Sequence, residues 1–441
     1  MSEPKREATR ESVRIALLGC GTVGGGVLRL LSENRERLAA RIGAPLDVAH
    51  VLVRDPVKER VSECRREWLT TEPDRVFSDP SLDLVVEVMG GERPAREYVE
   101  RAIDAGKGVV SANKLLIARH GADLIERAIA HGVDLAFEAS VGGGIPVIRT
   151  MREALASDAV NSLHAILNGT CNYVLTRMRT ASLSFDAALA EAQRLGYAEA
   201  DPSLDVDGHD AAQKLVVTSM LAFGARVNAE DVPVEGIRAI DEIDFRFADR
   251  FGFTIKHLAI GRDFGDGIEL RVHPTLIPKH SVLANIDNVL NGVYIDGRAL
   301  GPCLLVGRGA GDMPTAVSVV ADIVDVARSR LEGEAGLATR GIRLSHRPLR
   351  PMAELSSRYY LRFEVSDSPG VLGVLASELG KQGVSIEQMV QERQALGDEA
   401  PVPVVIITHT ALEGSVLMAL DGISAHGFLR RRPRFIRIED V

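Results

Sequence analysis

Asp210 and Lys214 stand four residues apart at the head of an apolar run, Ala211 to Phe223. On a helix that spacing puts both side chains on one face. A lysine in that place can hand a proton to an oxygen, and carboxylates beside it can hold an ammonium group. More acidic residues lie just upstream, in Gly196-Tyr197-Ala198-Glu199-Ala200-Asp201-Pro202 and at Asp205 and Asp207. The plainer reading is a surface ion pair, the commonest outcome of an i,i+4 spacing. A second motif favours chemistry. Gly19-Cys20-Gly21-Thr22-Val23-Gly24 follows the apolar run 13–18 and opens a helical pattern from Val23 to about Leu38. This is a GxGxxG in its required setting of strand, turn and helix, where small residues let backbone approach a pyrophosphate and a helix N-terminus supplies amide donors. A hydride acceptor and a proton donor are therefore implied by one chain.

The elements that position these residues follow from periodicity. Apolar runs Val48–Val53, Leu84–Val88, Val109–Ser111 and Leu135–Glu138 alternate with helical segments Pro94–Ala105 and Ala118–His131. Such alternation predicts a Rossmann-type, doubly wound parallel sheet over 13–145, completed by helix 316–330, after a flexible tail over 1–12. Residues 146–315 read as an α+β substrate and dimerisation domain with one large, mostly antiparallel or mixed sheet. Residues 331–354 lack periodicity and read as a linker. From 355 to 441 the order β-α-β-β-α-β predicts a ferredoxin-like domain.

Composition excludes several classes. The 441 residues carry a net charge of -9 without a long basic run, and only 4% are aromatic, which disfavours nucleic acid as a partner. No apolar run approaches the roughly 20 residues of a membrane helix. The charged N-terminus lacks a signal-peptide core. Four scattered cysteines, Cys20, Cys64, Cys171 and Cys303, read as reduced thiols of a cytoplasmic protein. Lys107 reads as an exposed turn residue, and Cys20 as a buried one.

Together the motifs resemble homoserine dehydrogenases of the long type that carry a C-terminal ACT domain. The resemblance rests on the glycine loop, on Val86-Glu87-Val88-Met89-Gly90-Gly91, Ser111-Ala112-Asn113-Lys114 and Glu138-Ala139-Ser140-Val141-Gly142-Gly143-Gly144-Ile145-Pro146. It continues through Leu167-Asn168-Gly169-Thr170-Cys171-Asn172-Tyr173, Gly196 to Lys214, and Gly309-Ala310-Gly311. It implies reversible, NAD(P)-dependent oxidation of L-homoserine to L-aspartate 4-semialdehyde. Lys214 is then the proton donor and acceptor. Glu199, Asp205, Asp210 and Lys114 bind substrate. Gly19, Gly21, Thr22, Val23, Gly24, Arg54, Gly90, Ser111, Lys114 and Gly309 bind cofactor. The resemblance also implies a monovalent cation such as Na+ at Glu138, Val141, Gly143 and Ile145, and a homodimer or higher homo-oligomer.

Two expectations concern selectivity and control. The second strand ends Val53-Arg54-Asp55. A guanidinium there can pair with a 2′-phosphate and favour NADP, whereas Asp55 can bind the 2′-hydroxyl of NAD. The ACT resemblance points to L-threonine as effector, with Asp367 and Gly370 at its turn and an active, insensitive enzyme after deletion beyond about residue 350. Two competing readings are another semialdehyde dehydrogenase and a catalytically silent nucleotide sensor. The first would need a nucleophilic cysteine with a histidine base.

Overall fold

The computed structural model describes residues 12–392 and 401–441, and the chain falls into two compact units. The first holds the chain up to Leu163, Ala212–Asp231 and Asn291–Arg347. The second holds His164–Ala211, Val232–Leu290 and Pro348–Val441. The tail expected over 1–12 lies, but for Ser12, outside the described residues.

In the first unit six strands form a sheet: β1 (Val13–Leu18), β2 (Leu46–Leu52), β3 (Leu69–Thr70), β4 (Leu84–Glu87), β5 (Gly108–Ser111) and β6 (Leu135–Ala136). Their order is β3-β2-β1-β4-β5-β6 and every pair is parallel. Helices cover both faces of such a sheet, so its central strands are near-continuous apolar runs rather than alternating. Ile15, Leu17, Val86 and Val110 are all buried in its core. The order reverses between β1 and β4, and a parallel sheet opens its ligand crevice at that point, beyond the carboxyl ends of the strands. Helix Asp312–Leu331 joins this core through Ala316, Val319 and Ile323. It approaches helix Thr22–Glu33 so closely that a Cβ on Gly26 would stand 3.0 Å from the Ala316 methyl.

Helix Lys114–His131 starts four residues before its expected position. The Asn113 side chain caps it, accepting from the Leu116 amide at 3.1 Å. Lys107 is not an exposed turn residue. It is buried, and its Nζ donates to the carbonyls of Asp79 (2.6 Å) and Leu82 (3.3 Å). Cys20 is only half-buried rather than buried, because it lines an open cavity.

In the second unit the sheet runs in the order Phe253–Asp263, Ile268–Pro278, Arg434–Ile438, Ser356–Val365, Val402–Thr408, Ile386–Gln391. Only the contact of Ile268–Pro278 with Arg434–Ile438 is parallel among these neighbours. With helices Val371–Lys381 and Glu413–Ser424, the C-terminal segment has the β-α-β-β-α-β order of a ferredoxin-like fold. Its last strand is the seam by which that fold continues the sheet of the preceding region. The core is shared accordingly. Cys171, Val174 and Leu175 of helix Gly169–Ala181 pack in one cluster with Tyr360, Val405, Ile407, Ile436 and Ile438.

Candidate functional site

The first unit contains a cavity of about 750 Å³ at the carboxyl ends of β1, β2 and β4. Its walls include Gly19, Gly21, Arg54, Met89, Gly90 and Gly91. The glycine loop is shaped for close approach. Gly19 has φ +98, and a Cβ there would lie 3.0 Å from the Val88 carbonyl. A Cβ on Gly24 would lie 2.7 Å from the Gly19 carbonyl, so this glycine lets helix Thr22–Glu33 pack against the loop. Gly21 has no atom within 4 Å of its would-be Cβ, and the helix it precedes has no side-chain cap. Open space in front of uncapped amides suits a diphosphate. Thr22, Val23 and Gly24 form the first turn of that helix.

Arg54 is exposed at the cavity rim, where Lys58 and Arg60 also stand. Sequence reading singled out Arg54 alone. The other two follow four and six residues later in an aperiodic stretch that gives no direction to their side chains. Asp55, the competing carboxylate, accepts from the amides of Val57 (2.9 Å) and Lys58 (3.3 Å) within its own turn. The Arg60 guanidinium closes the same turn onto the Asp55 carbonyl.

Ser111 is buried and donates to Glu87. Lys114 is the first residue of its helix, half-buried. Gly309 does not line the cavity. It lies against Asn291 and Gly143, whose would-be Cβ would meet the Gly309 carbonyl at 2.6 Å.

The Glu138–Ile145 turn is buried except at Gly144 and bends at Gly142 (φ +70) and Gly143 (φ +55). Its side-chain carboxylate is already engaged: Glu138 accepts from the amides of Ile148 (2.9 Å) and Arg149 (2.7 Å). Burial nonetheless pushes its carboxyl above the ordinary range. The Gly143 carbonyl accepts from Ser318 at 2.6 Å, and the Ile145 carbonyl from the Val147 amide at 2.8 Å. Each carbonyl keeps a second lone pair. Among the described residues no group of three His, Cys, Asp or Glu could hold a metal, so a cation here would depend on backbone oxygens.

The second unit gathers two of the three expected substrate carboxylates. Asn168 caps helix Gly169–Ala181 through its Oδ1, which accepts from the Cys171 amide at 2.8 Å. Its Nδ2 donates to Asp205 Oδ1 at 2.7 Å and to Asp210 Oδ2 at 2.8 Å. One amide thus holds two acids 37 and 42 residues away in sequence. The Thr170 hydroxyl lies 3.2 Å from the other Asp205 oxygen and donates to the Tyr197 carbonyl at 2.6 Å. The Cys171 thiol donates to the Asp205 carbonyl, consistent with a packing thiol rather than a nucleophile. Asn168 and Thr170 were missed as site builders; their only signal was their place in the Leu167–Tyr173 motif.

Asp210 is buried, whereas Glu199 is exposed on the loop that Gln193 ties through the carbonyls of Glu199 (3.0 Å) and Ala200 (3.4 Å). Asp201 caps its turn through the Ser203 amide, while Asp207 pairs with Arg238. Behind Gly208 stands His257, fully enclosed, with Nε2 3.0 Å from the Glu235 carbonyl. Burial pushes it down to about 4, against the pull of that carbonyl and of Asp210, so it is neutral near pH 7.

Helix His209–Ala222 carries the motif onward. Asp210 belongs to the second unit and Lys214, one turn later on the same helical face, to the first. Lys214 is buried at 9% exposure. The buried Lys214 can move a proton, and within the second unit the amide-oriented carboxylates can hold a cationic group.

Comparison with known proteins gives the family. Residues 19–138 match the family model described as the NAD binding domain of homoserine dehydrogenase, and residues 146–324 match the homoserine dehydrogenase model. A curated homoserine dehydrogenase of Pseudomonas aeruginosa is 42% identical over 93% of this chain and 96% of its own. The crystal structure of one from Thiobacillus denitrificans is 42% identical with a TM-score of 0.91, over 97% of this chain and 98% of that one. A hyperthermophilic archaeal homoserine dehydrogenase solved in complex with NADPH is 26% identical with a TM-score of 0.61. That match covers 71% of this chain and 97% of the archaeal one.

Proposed function

The chain belongs to the homoserine dehydrogenase family, NAD(P)-dependent oxidoreductases, and on that premise we propose how its residues perform that chemistry. The substrate pair is L-homoserine and L-aspartate 4-semialdehyde. The nicotinamide takes up or delivers the hydride. Lys214 moves the proton at the substrate oxygen, from a buried position that shields the exchange from water. Asp210 and Asp205 hold the substrate ammonium. Asn168 keeps their carboxylates facing one place, and this is the observation that carries the assignment. Glu199, exposed on its loop, and Lys114, at a helix start, complete the substrate contacts.

We further propose a preference for NADP. Arg54, Lys58 and Arg60 surround the rim where the 2′-phosphate would fall, and the amides of its own turn occupy Asp55. Arg54→Ala should raise the Kd for NADPH about tenfold and leave that for NADH within twofold, read by fluorescence titration. Equal losses for both cofactors would remove the phosphate role.

Three other readings belong to the same proposal. A monovalent cation, Na+ for instance, would rest on the carbonyls of Glu138, Val141, Gly143 and Ile145. A homodimer would cover the exposed Leu304 and Val306 of strand Gly301–Arg308. A cytoplasmic setting fits four free cysteines.

Threonine control would act at the exposed turn of Asp367, where Gly370 (φ +92) opens helix Val371–Lys381. Deletion after residue 350 is a poor test of it, because it would strip Tyr360, Ile407 and Ile438 from the core that helix Gly169–Ala181 shares. Asp367→Ala is the better variant. Initial rates should fall with added L-threonine in the parent and fall less in the variant.

A further inference from the structure

Glu87 is the last residue of β4, is wholly buried, and cannot touch a ligand itself. Its carboxylate nevertheless meets two backbone segments that follow adjacent strands, the Met89–Gly91 loop in the cavity wall and the Ser111–Asn113 turn. Oε1 accepts from the amides of Met89 (2.9 Å) and Gly90 (3.3 Å), in the cavity wall. Oε2 accepts from the Ser111 hydroxyl at 2.7 Å. That hydroxyl in turn accepts from the Asn113 amide at 3.1 Å. Asn113 Nδ2 stands 3.5 Å from Glu87 Oε1, donates to the Gly91 carbonyl at 2.6 Å, and its Oδ1 caps the helix that begins with Lys114.

Every partner of this carboxylate is a neutral donor. No guanidinium or ammonium among these bonds offsets its burial, which pushes the carboxyl above the ordinary range. A core without a task would place an apolar residue at the end of a central parallel strand. Gly90 and Gly91 have φ near +72 and +73, with no atom within 4 Å of either would-be Cβ, so the loop the carboxylate pins presents bare backbone to the cavity. The order of donors also matters. Ser111 accepts from Asn113 and must donate onward, and only an acceptor at Glu87 Oε2 can receive that proton.

We infer that Glu87 is a positioning residue for the reaction: its carboxylate locks the Met89–Gly91 loop and the Ser111–Lys114 segment into the geometry that binds the dinucleotide and aims Lys114. The inference rests on assigning this cavity to the cofactor. It adds a residue with no ligand contact to the machinery.

Glu87→Gln keeps shape and volume but turns one oxygen into a donor facing the Ser111 hydroxyl. Losing hydrogen bonds to a charged acceptor corresponds to about 10–100-fold in binding. The variant should therefore raise the NADPH Kd and the cofactor KM at least about tenfold, with a smaller change in the homoserine KM. Ser111→Ala, which shortens the same chain of bonds, should shift the Kd in the same direction by less. Asp83→Asn, at a buried carboxylate that also pairs with Arg330 (3.3 Å), is the stability control. Asp83 lies at the opposite end of the same sheet, accepting from the Arg14 amide at 2.9 Å. It should lower the thermal midpoint without moving the Kd. If Glu87→Gln and Ser111→Ala lose stability as Asp83→Asn does but bind NADPH within twofold of the parent, the inference is wrong. Failure of the parent itself to bind NADPH would instead overturn the cofactor assignment.

Discussion

Several buried carboxylates of the two units are held in contrasting ways, although Asp83 and Asp322 of the first unit also meet arginines and Asp210 of the second is held by an amide. In the first, backbone amides and hydroxyls receive them. Glu87 faces Met89, Gly90 and Ser111, Glu138 faces Ile148 and Arg149 amides, and Asp134 faces the amides of Gly336 and Ala338. In the second, arginines receive them. Glu439 meets Arg271 (2.8 Å) and Arg262, Glu413 meets Arg437, and Asp244 meets Arg362. Burial raises Glu87 and Glu138, and their neutral donors do not overcome it. Burial also acts on Glu439, yet the Arg271 charge and its neighbours outweigh it and hold that carboxyl well below the ordinary range.

The difference follows task. Glu87 fixes a loop in the cavity wall, while Glu138 and Asp134 hold a turn and a helix start through backbone amides. Arginine pairs instead bind the C-terminal strand Arg434–Ile438 and its flanking residues into the sheet that precedes it. Arg437 there also reaches Glu235, at 2.8 Å.

The largest effect should come from breaking an arginine pair on one side only. Arg271→Met leaves Glu439 and Glu269 buried without their shared partner, and such losses cost about 3–5 kcal/mol. Urea unfolding should show a loss of that size. A loss below about 1 kcal/mol would mean the network contributes little and the comparison fails.

The next test uses pH. Burial, reinforced by the Glu138 charge, pushes Asp322 of the first unit up to about 7. A raised acid adds stability that is complete below its unfolded value and is lost as pH rises through about 7. His257 of the second unit, lowered to about 4, behaves oppositely. The unfolded chain binds its proton first, so stability is lost as pH falls from about 6.5 through 4, by up to about 3 kcal/mol. Calorimetry across pH 4.5 to 8 should show Asp322→Asn removing a loss of stability on raising pH toward about 7, and His257→Gln removing a loss on lowering it toward 4.5. The same slope change in both variants would erase the contrast.

Much of this was legible in the sequence where signals are local. The run 13–18, the glycine loop and the helix after it announce the crevice, because strand, turn and dipole follow one another along the chain. The C-terminal β-α-β-β-α-β order was equally plain. The acidic cluster announced itself at Gly196 to Lys214. What stayed hidden depends on side chains whose partners lie far away: Asn168 bridging Asp205 and Asp210, Glu87 reaching Ser111, Lys107 turning inward to two carbonyls. Periodicity cannot report a side-chain amide's partners 37 and 42 residues distant, nor that the strand at 434–438 would pair with the one at 268–278.

The account turns on Lys214, and the direct measurement is absorbance at the reduced-nicotinamide band with L-homoserine and NADP, for the parent and Lys214→Ala. General acid–base catalysis contributes about 10²–10⁴-fold. The parent should reduce the cofactor, and the variant should fold, bind NADPH normally and lose kcat by about that factor. Turnover in the variant close to that of the parent would contradict the assignment.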